Sequence, residues 1–457
     1  MKTNAASLAY DVIVIGGGPG GALAAIASAR SGAKTLLVER YGYLGGALTA
    51  AGTGPQMSYH AGALQVVRGL PGELVDTLVA QGFSPGHMED FVGYTSSVTP
   101  FDPEGLKLVL ETMVLDAGAD LLYHAVYTGC DAHDGVIESV RLHTKAGTIT
   151  AAAKVFIDAS ADADLAVDAG VPTRFGRDAD GLAQPMTMNF RVYGVDRERM
   201  IDYITAHPDN MLPTTPFERL RIIARSGMQG GFSQVAQARE DGEFHVDRDR
   251  VLCFETNNPG EFIVNMTRIS GLSAIDAFDL TRAEIEGRRQ CHEVFAFMRK
   301  HIPGFEHCVL SQTGPNIGVR ESRRIAGVYC LTAEDLLNNR MFEDAIAMGG
   351  YPIDIHAPNG DETNSAHLKP GSWYAVPYRS LIAQEAGNLI VTGRCISATH
   401  EALGAVRVTP IVMAMGQAAG TAAAQAAAAD ANVLTLDVSA LRQTLTHDGV
   451  FLTEYRA

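Results

Sequence analysis

The sequence predicts an α/β fold, a Rossmann-like dinucleotide-binding domain interrupted by an inserted lobe of mixed α+β character. Three observations predict it. An apolar run, Tyr10–Ile15, enters the glycine-rich turn Gly16-Gly17-Gly18-Pro19-Gly20-Gly21 and continues into the small and apolar stretch Ala22–Ala29. Near the other end a second apolar run, Leu389–Arg394, again closes on a glycine, Gly393. Between them the composition changes near Gly170, and residues from about 175 to 375 mix strand and helix patterns. The expected division is therefore 1–174 for the first part of the nucleotide domain, 175–373 for the inserted substrate lobe, and 374–457 for the closing part.

The first element carries the most chemistry. Tyr10–Ile15 as a strand, Ala22–Ala29 as a helix and Lys34–Val38 as a second strand make a βαβ unit, with Glu39 at its end. Gly16, Gly18 and Gly21 fall in the G-x-G-x-x-G pattern. Gly16 permits the tight turn, Gly18 lets the backbone approach a pyrophosphate, and Gly21 lets helix and strand pack closely. The helix N-terminus offers free N–H groups and partial positive charge to the phosphates. Glu39 is placed to accept hydrogen bonds from a ribose.

Further along, Asp102-Pro103-Glu104 opens a helix through Ala117, with Leu106, Leu110, Met113 and Val114 at helical spacing. Leu121–Tyr123 and Val126–Gly129 read as strands, Asp131–Gly135 as a turn, and Val136–His143 as an alternating strand. Lys154–Ser160 is an apolar strand ending in small residues. In the insert, Thr187–Val192 and Glu261–Arg268 are strand candidates. Thr281–Ile302 reads as a long helix, with Thr281 and Glu284 as its capping box and Pro303-Gly304 as its stop. Thr332–Asp335 starts another. After Leu389–Arg394 comes a polar loop, Cys395–Val408, then a helix from Pro410 to Ala429. Gly416 and Gly420, one turn apart, mark a face that packs very closely on a neighbour.

Composition limits the function classes. The formal net charge of −16 argues against nucleic acid or an anionic membrane as partner. No apolar run is long enough to span a bilayer, since Thr421 and Gln425 interrupt the alanine-rich stretch Ala418–Ala429. Met1–Ala9 lacks the apolar region of a secretory signal. The six cysteines are dispersed with no C-x-x-C pair, which disfavours iron–sulfur or zinc ligation and suits a reducing cytoplasm. A cytoplasmic location is the resulting expectation.

Glu39-Arg40, followed by Leu44-Gly45-Gly46 and Thr49, resembles the FAD-binding chains of the glutathione-reductase structural class, in which the Gly-Gly segment passes alongside the flavin. Phe156–Asp164, Gly318–Gly327 and Gly393–His400 through Gly420 extend the likeness over nearly the whole chain. The chain thus resembles a bacterial FAD-dependent oxidoreductase of that class. One departure is Ser160-Ala161, where the family has Thr-Gly. The resemblance implies FAD as cofactor, held by Gly16, Gly18, Gly21, Glu39, Arg40, Gly45, Gly46, Thr49, Val126, Ser160, Gly393, Arg394 and Gly416. It also implies that the N-terminus of the helix beginning near Pro410 points at the flavin pyrimidine edge, where negative charge collects on reduction.

His400, just before that helix, is the candidate general base, its ordinary pKa near 6.5 suiting proton removal. Arg407 is a candidate for binding an anionic substrate group or the reduced flavin. Arg320, with Arg323 and Arg324 beside Glu321, reads either as a carboxylate clamp or as an ion-pair network. His356 and His367 flank Asp354, Asp361 and Glu362 without a metal-ligand spacing, and this stretch suits a lid loop better, with Trp373 beside it. His60 follows the Gly-Gly run and lies within reach of the flavin. The expected function is a dehydrogenase or oxidase that takes a hydride from a small organic substrate. No second dinucleotide fingerprint is present, so the expected electron acceptor is oxygen, a quinone or a protein. A flavin monooxygenase or double-bond reductase, and an electron-transfer flavoprotein subunit, are the alternatives. A homo-oligomer is compatible with all of them.

Overall fold

The computed structural model describes residues 8–358 and 363–455. Its largest sheet orders parallel strands Asp120–Leu122, Thr35–Val38, Leu8–Ile15, Gly147–Asp158 and Leu389–Val391. The strand Gly147–Asp158 is long enough to do two things. Its C-terminal half pairs in parallel with Leu389–Val391, while its N-terminal half pairs antiparallel with Val136–Thr144, which in turn pairs with Val126–His133. The half Val12–Ile15 of strand Leu8–Ile15 is buried on both faces, its side chains alternating between two cores. Val12 and Val14 enter one apolar core, Ile13 and Ile15 the other. The closing strand Leu389–Val391 thus joins the sheet from far along the chain, as the sequence predicts.

The helix Pro19–Arg30 follows the glycine turn and packs along Thr409–Ala429. This contact explains Gly416 and Gly420. A Cβ at Gly416 would lie 2.2 Å from the Gly20 carbonyl oxygen, and one at Gly420 would lie 2.1 Å from that of Ala24. Both glycines let two helix backbones touch. Gly416 thus serves as a packing residue, and it is not among the residues that line the nucleotide cavity, unlike the cofactor contact the sequence suggests.

The second lobe is a five-stranded antiparallel sheet in the order Gly227–Gly230, Val251–Glu255, Glu261–Val264, Phe190–Tyr193, Val309–Thr313. The helix Ala277–His301 buries Ala283, Cys291, Val294, Phe297 and Met298 in that lobe's core, which draws on residues from Met186 to Ile317. Leu331, Leu336, Phe342 and Ala345–Met348 pack instead into the first lobe's core. By core membership the inserted lobe closes well before residue 373.

Three local expectations shift. The long helix begins at Ala277, because the Asp276 carboxylate accepts the N–H groups of Phe278 and Asp279, both at 2.9 Å. Thr281 lies inside the helix, its hydroxyl donating to the Ala277 carbonyl at 2.8 Å. The other half of the expected capping box, Glu284, accepts the Ile317 N–H at 2.7 Å. The loop Cys395–Val408 contains a short helix, His400–Val406, capped by Thr399. The strand expected to stop at Gly129 runs on to His133. The capping box at Thr332 and Asp335 is formed as read from the sequence.

Candidate active site

A cavity of about 830 Å³ runs between the glycine turn and the second lobe. At its first end the turn is built by steric necessity. Gly16 sits at φ +104°, and a Cβ at Gly21 would lie 1.8 Å from the Gly16 carbonyl oxygen. Gly18 is different, because a Cβ there would meet nothing closer than the Gly46 Cα at 4.0 Å. Gly18 thus faces open cavity, which is the space a bound pyrophosphate would fill above the helix N-terminus.

Glu39 lines this end and is buried. Its Oε2 accepts the Gly17 N–H at 2.6 Å and its Oε1 accepts the Tyr41 N–H at 2.9 Å. Burial raises the carboxyl pKa against the pull of those bonds. Arg40, Gly46, Val126, Ser160, Gly393 and Arg394 also line the cavity. Gly393 stands at φ +95° with no atom within 4 Å of a would-be Cβ, and Arg394 donates to Asp162 at 2.6 Å. The neighbouring Thr392 hydroxyl is buried without a partner among the described residues. Gly45 and Thr49 stand behind the wall. Gly45 turns at φ +106°, and the Thr49 hydroxyl donates to the Leu44 carbonyl at 2.7 Å. Their task is to press Gly46 against Gly18, where a Cβ would come within 2.8 Å of the Gly18 Cα. The open glycines, the helix N-terminus and the unpartnered Thr392 hydroxyl together fit FAD. Val408, Thr409 and Val412 bring the start of the helix Thr409–Ala429 into the same wall.

The far end is polar and cationic. Arg248, Arg320 and Arg407 line it together with Asp354, His356, Tyr351 and Tyr94. Strand Ile353–His356 supplies the acid and the histidine two positions apart on the same face, with His356 Nε2 3.5 Å from Asp354 Oδ2. The Tyr351 hydroxyl donates to Asp354 at 3.1 Å. Burial opposes the Asp354 charge, but His356, Arg407 and Arg320 pull its pKa well below the carboxylate range. Burial, and then Arg320, push His356 down to about 3, so it is neutral at pH 7.

The sequence's candidate base lies elsewhere. His400 is buried at the start of the helix His400–Val406, outside the cavity wall, with Nδ1 2.8 Å from Glu321 Oε2. Glu321 also pairs with Arg324 at 2.5 Å and accepts the Gln184 N–H at 2.9 Å. Arg323 pairs with Asp164. Of the cluster Arg320, Arg323 and Arg324, two members are thus the ion-pair network and one, Arg320, enters the cavity. His367 lines the cavity, whereas Trp373 donates to the Thr453 carbonyl at 3.0 Å and meets Phe451 edge to face. His60 is held by Ser97 at 3.0 Å. Asp361 and Glu362 of the expected lid lie outside the described residues. Asp354 and His356 were visible in sequence as residue types, but only the turn of their strand into the cavity distinguishes them.

The glycine cradle and the cavity it opens onto fit a flavin-dependent redox enzyme. The chain belongs to the FAD dependent oxidoreductase family, whose model matches residues 11–445, and FAD is its cofactor. Among curated relatives it is similar to a digeranylgeranylglycerophospholipid reductase of Thermoplasma volcanium, 27% identical over 211 residues, 44% of this chain and 48% of that protein. It is also similar to a dihydrolipoyl dehydrogenase of Trypanosoma brucei brucei, 54% identical over 46 residues, 10% of each chain. The matched stretch spans about half the length of the Thermoplasma volcanium relative and less of the trypanosomal one. Similar solved structures include a geranylgeranyl bacteriochlorophyll reductase-like protein of Thermoplasma acidophilum, with TM-score 0.47, 14% identity and 97% and 83% of the two chains covered. Another is the L-proline dehydrogenase of P. horikoshii, with TM-score 0.48, 12% identity and 99% and 100% covered. Among the described residues no single helix is long and apolar enough to cross a membrane.

Proposed function

We propose that the chain is a dehydrogenase or oxidase, of the glutathione-reductase type of fold, that removes a hydride from a C–OH, C–N or C–C bond of a small organic substrate. The observation that carries this reading is the His356–Asp354 pair, which lines the same cavity as the glycine cradle. Bound FAD supplies the two-electron acceptor. The chain's own part is positioning and proton handling. With the Nε2–H directed at Asp354, the His356 Nδ1 is left to accept the substrate's proton as the hydride departs. Ionised Asp354 favours the imidazolium that forms, against the burial and the Arg320 charge that push its pKa down to about 3. Val408 and Thr409 bring a helix N-terminus to the cavity, where its partial positive charge favours negative charge on the reduced group. Oxygen, a quinone or a protein would remove the electrons afterwards.

The test is an anaerobic substrate screen on the FAD-loaded protein, read as bleaching of oxidised-flavin absorbance. Bleaching by substrate alone supports the dehydrogenase. Bleaching only by NAD(P)H or dithionite, with reoxidation by an unsaturated compound, overturns it in favour of a double-bond reductase. The similarity to a digeranylgeranylglycerophospholipid reductase favours keeping that second reading.

A further inference from the structure

We propose that the substrate is a small organic anion whose carboxylate is bound by Arg320, Arg248 and Arg407. This rests on the reading above and names the substrate class for the same cavity. Arg320 comes from the segment that leaves the second lobe. It donates to the Pro185 carbonyl at 2.7 Å and also to the Thr187 hydroxyl. Arg248 donates to the Asn265 carbonyl at 3.2 Å, and its buried Nε has no partner. Arg407 ends the helix His400–Val406, reaches Gln184 at 3.3 Å, and its buried Nε is likewise unpartnered. All three line the cavity, and among the described residues no carboxylate lies within ion-pair distance of any of them.

The charge balance at this end is one-sided. Among the described residues lining the cavity here, Glu284 is paired with Arg288 and Asp354 is engaged by His356 and Tyr351, which leaves the three guanidinium groups without a carboxylate of their own. Arg250 also lines the cavity but is neutralised by Asp249 at 2.8 Å, as Arg394 is by Asp162. Burial and mutual repulsion push Arg320 well below its ordinary pKa, and Arg248 down to about 10. A guanidinium stays protonated in a protein, so these directions mark cations that lack a counter-ion. A buried charge left unpaired is costly, and an excess of buried positive charge is tolerated where a ligand supplies the negative one. The geometry suits a planar carboxylate, which a guanidinium binds through two parallel hydrogen bonds. The glycine cradle supplies its own phosphate site at the other end of the cavity, so these arginines are left for the substrate.

The experiment uses the FAD-loaded protein with malonate, its neutral isostere malonamide, and inorganic phosphate as probes. Binding is read as a perturbation of the flavin spectrum and as a thermal shift. Malonate is expected to bind, malonamide not, and phosphate more weakly than malonate. In Arg320→Gln and Arg248→Gln, both with unchanged flavin content, malonate affinity is expected to fall roughly 10- to 100-fold, the loss of a charged hydrogen bond. Arg320→Lys keeps the charge but not the fork and should recover part of the loss. Equal binding of malonamide, tighter binding of phosphate, or malonate affinity unchanged in both glutamine variants overturns the proposal. Absence of malonate binding to the unmutated protein does so without any variant having to fold. These readouts need no turnover. Failed anion binding with substrate-driven bleaching removes only the anion assignment. Anion binding without any such bleaching removes only the dehydrogenase reading.

Discussion

Two clusters in this molecule contain the same residue types and do different things. Around Glu321, a histidine, a carboxylate and an arginine close on one another. His400 and Arg324 both reach Glu321, the Gln184 N–H completes its shell, and the group lies behind the cavity wall. Around Asp354, a histidine and a carboxylate again pair, but three arginines stand by without carboxylates of their own and the group faces the cavity. The first cluster is charge-balanced and locks the segment Arg320–Ile325 to the helix His400–Val406. The second is unbalanced and open. The difference shows that residue type does not mark a site. Surplus charge and access do.

The comparison predicts opposite phenotypes. The largest effect belongs to the open cluster. His356→Gln should leave FAD bound and the melting temperature little changed, yet slow flavin reduction by substrate by about 10²–10⁴-fold in stopped flow. A reduction rate equal to the unmutated enzyme's would move the base elsewhere. Next comes the closed cluster. Glu321→Gln strips a buried arginine of its counter-charge and should cost about 3–5 kcal/mol of stability in urea titration. Catalysis in the fraction that remains folded should be nearly normal, and a stable but inactive variant would reverse the assignment of the two clusters. His400→Ala should follow the same pattern more mildly, at about 1–3 kcal/mol, for a lost partner of a buried carboxylate.

The smallest effect, read per pH unit, is a pH slope. His356 is held neutral in the fold, with its pKa near 3 against 6.5 when free. Between those values the unfolded chain binds the proton and the folded chain does not. The fold is therefore destabilised as pH falls through that window. Relative to His356→Gln, the stability of the unmutated protein should drop by up to about 1.4 kcal/mol per pH unit below pH 6.5. Parallel profiles for the two proteins would show that His356 is not held neutral.

Much of the first lobe was legible in the sequence because its signals are local. The turn at Gly16–Gly21, the Asp102 cap and the apolar strand before Asp158 each announce themselves within a few residues. Gly416 was legible as a close-packing residue, but the backbone it touches was not, because Gly20 lies almost a full chain away. Thr281 and Glu284 form a valid capping pattern, but Asp276 lies upstream and captures two N–H groups, so the helix starts there. His400 was favoured for its position before a helix. Its placement outside the cavity depends on Glu321, a partner no spacing rule connects to it. Asp354 and His356 were read as part of a mobile-looking stretch because strand orientation, not composition, turns them inward.

The contact of Gly416 and Gly420 with Gly20 and Ala24 has a consequence for the birth of the protein. Chains emerge from the ribosome at roughly 5–20 residues per second, and the N-terminal part comes first. The nucleotide cradle at Gly16–Gly21 is made long before the helix Thr409–Ala429 that braces it. For tens of seconds the glycine turn has no wall behind it. A chain arrested before residue 416 would therefore carry the glycine fingerprint without the helix that braces it.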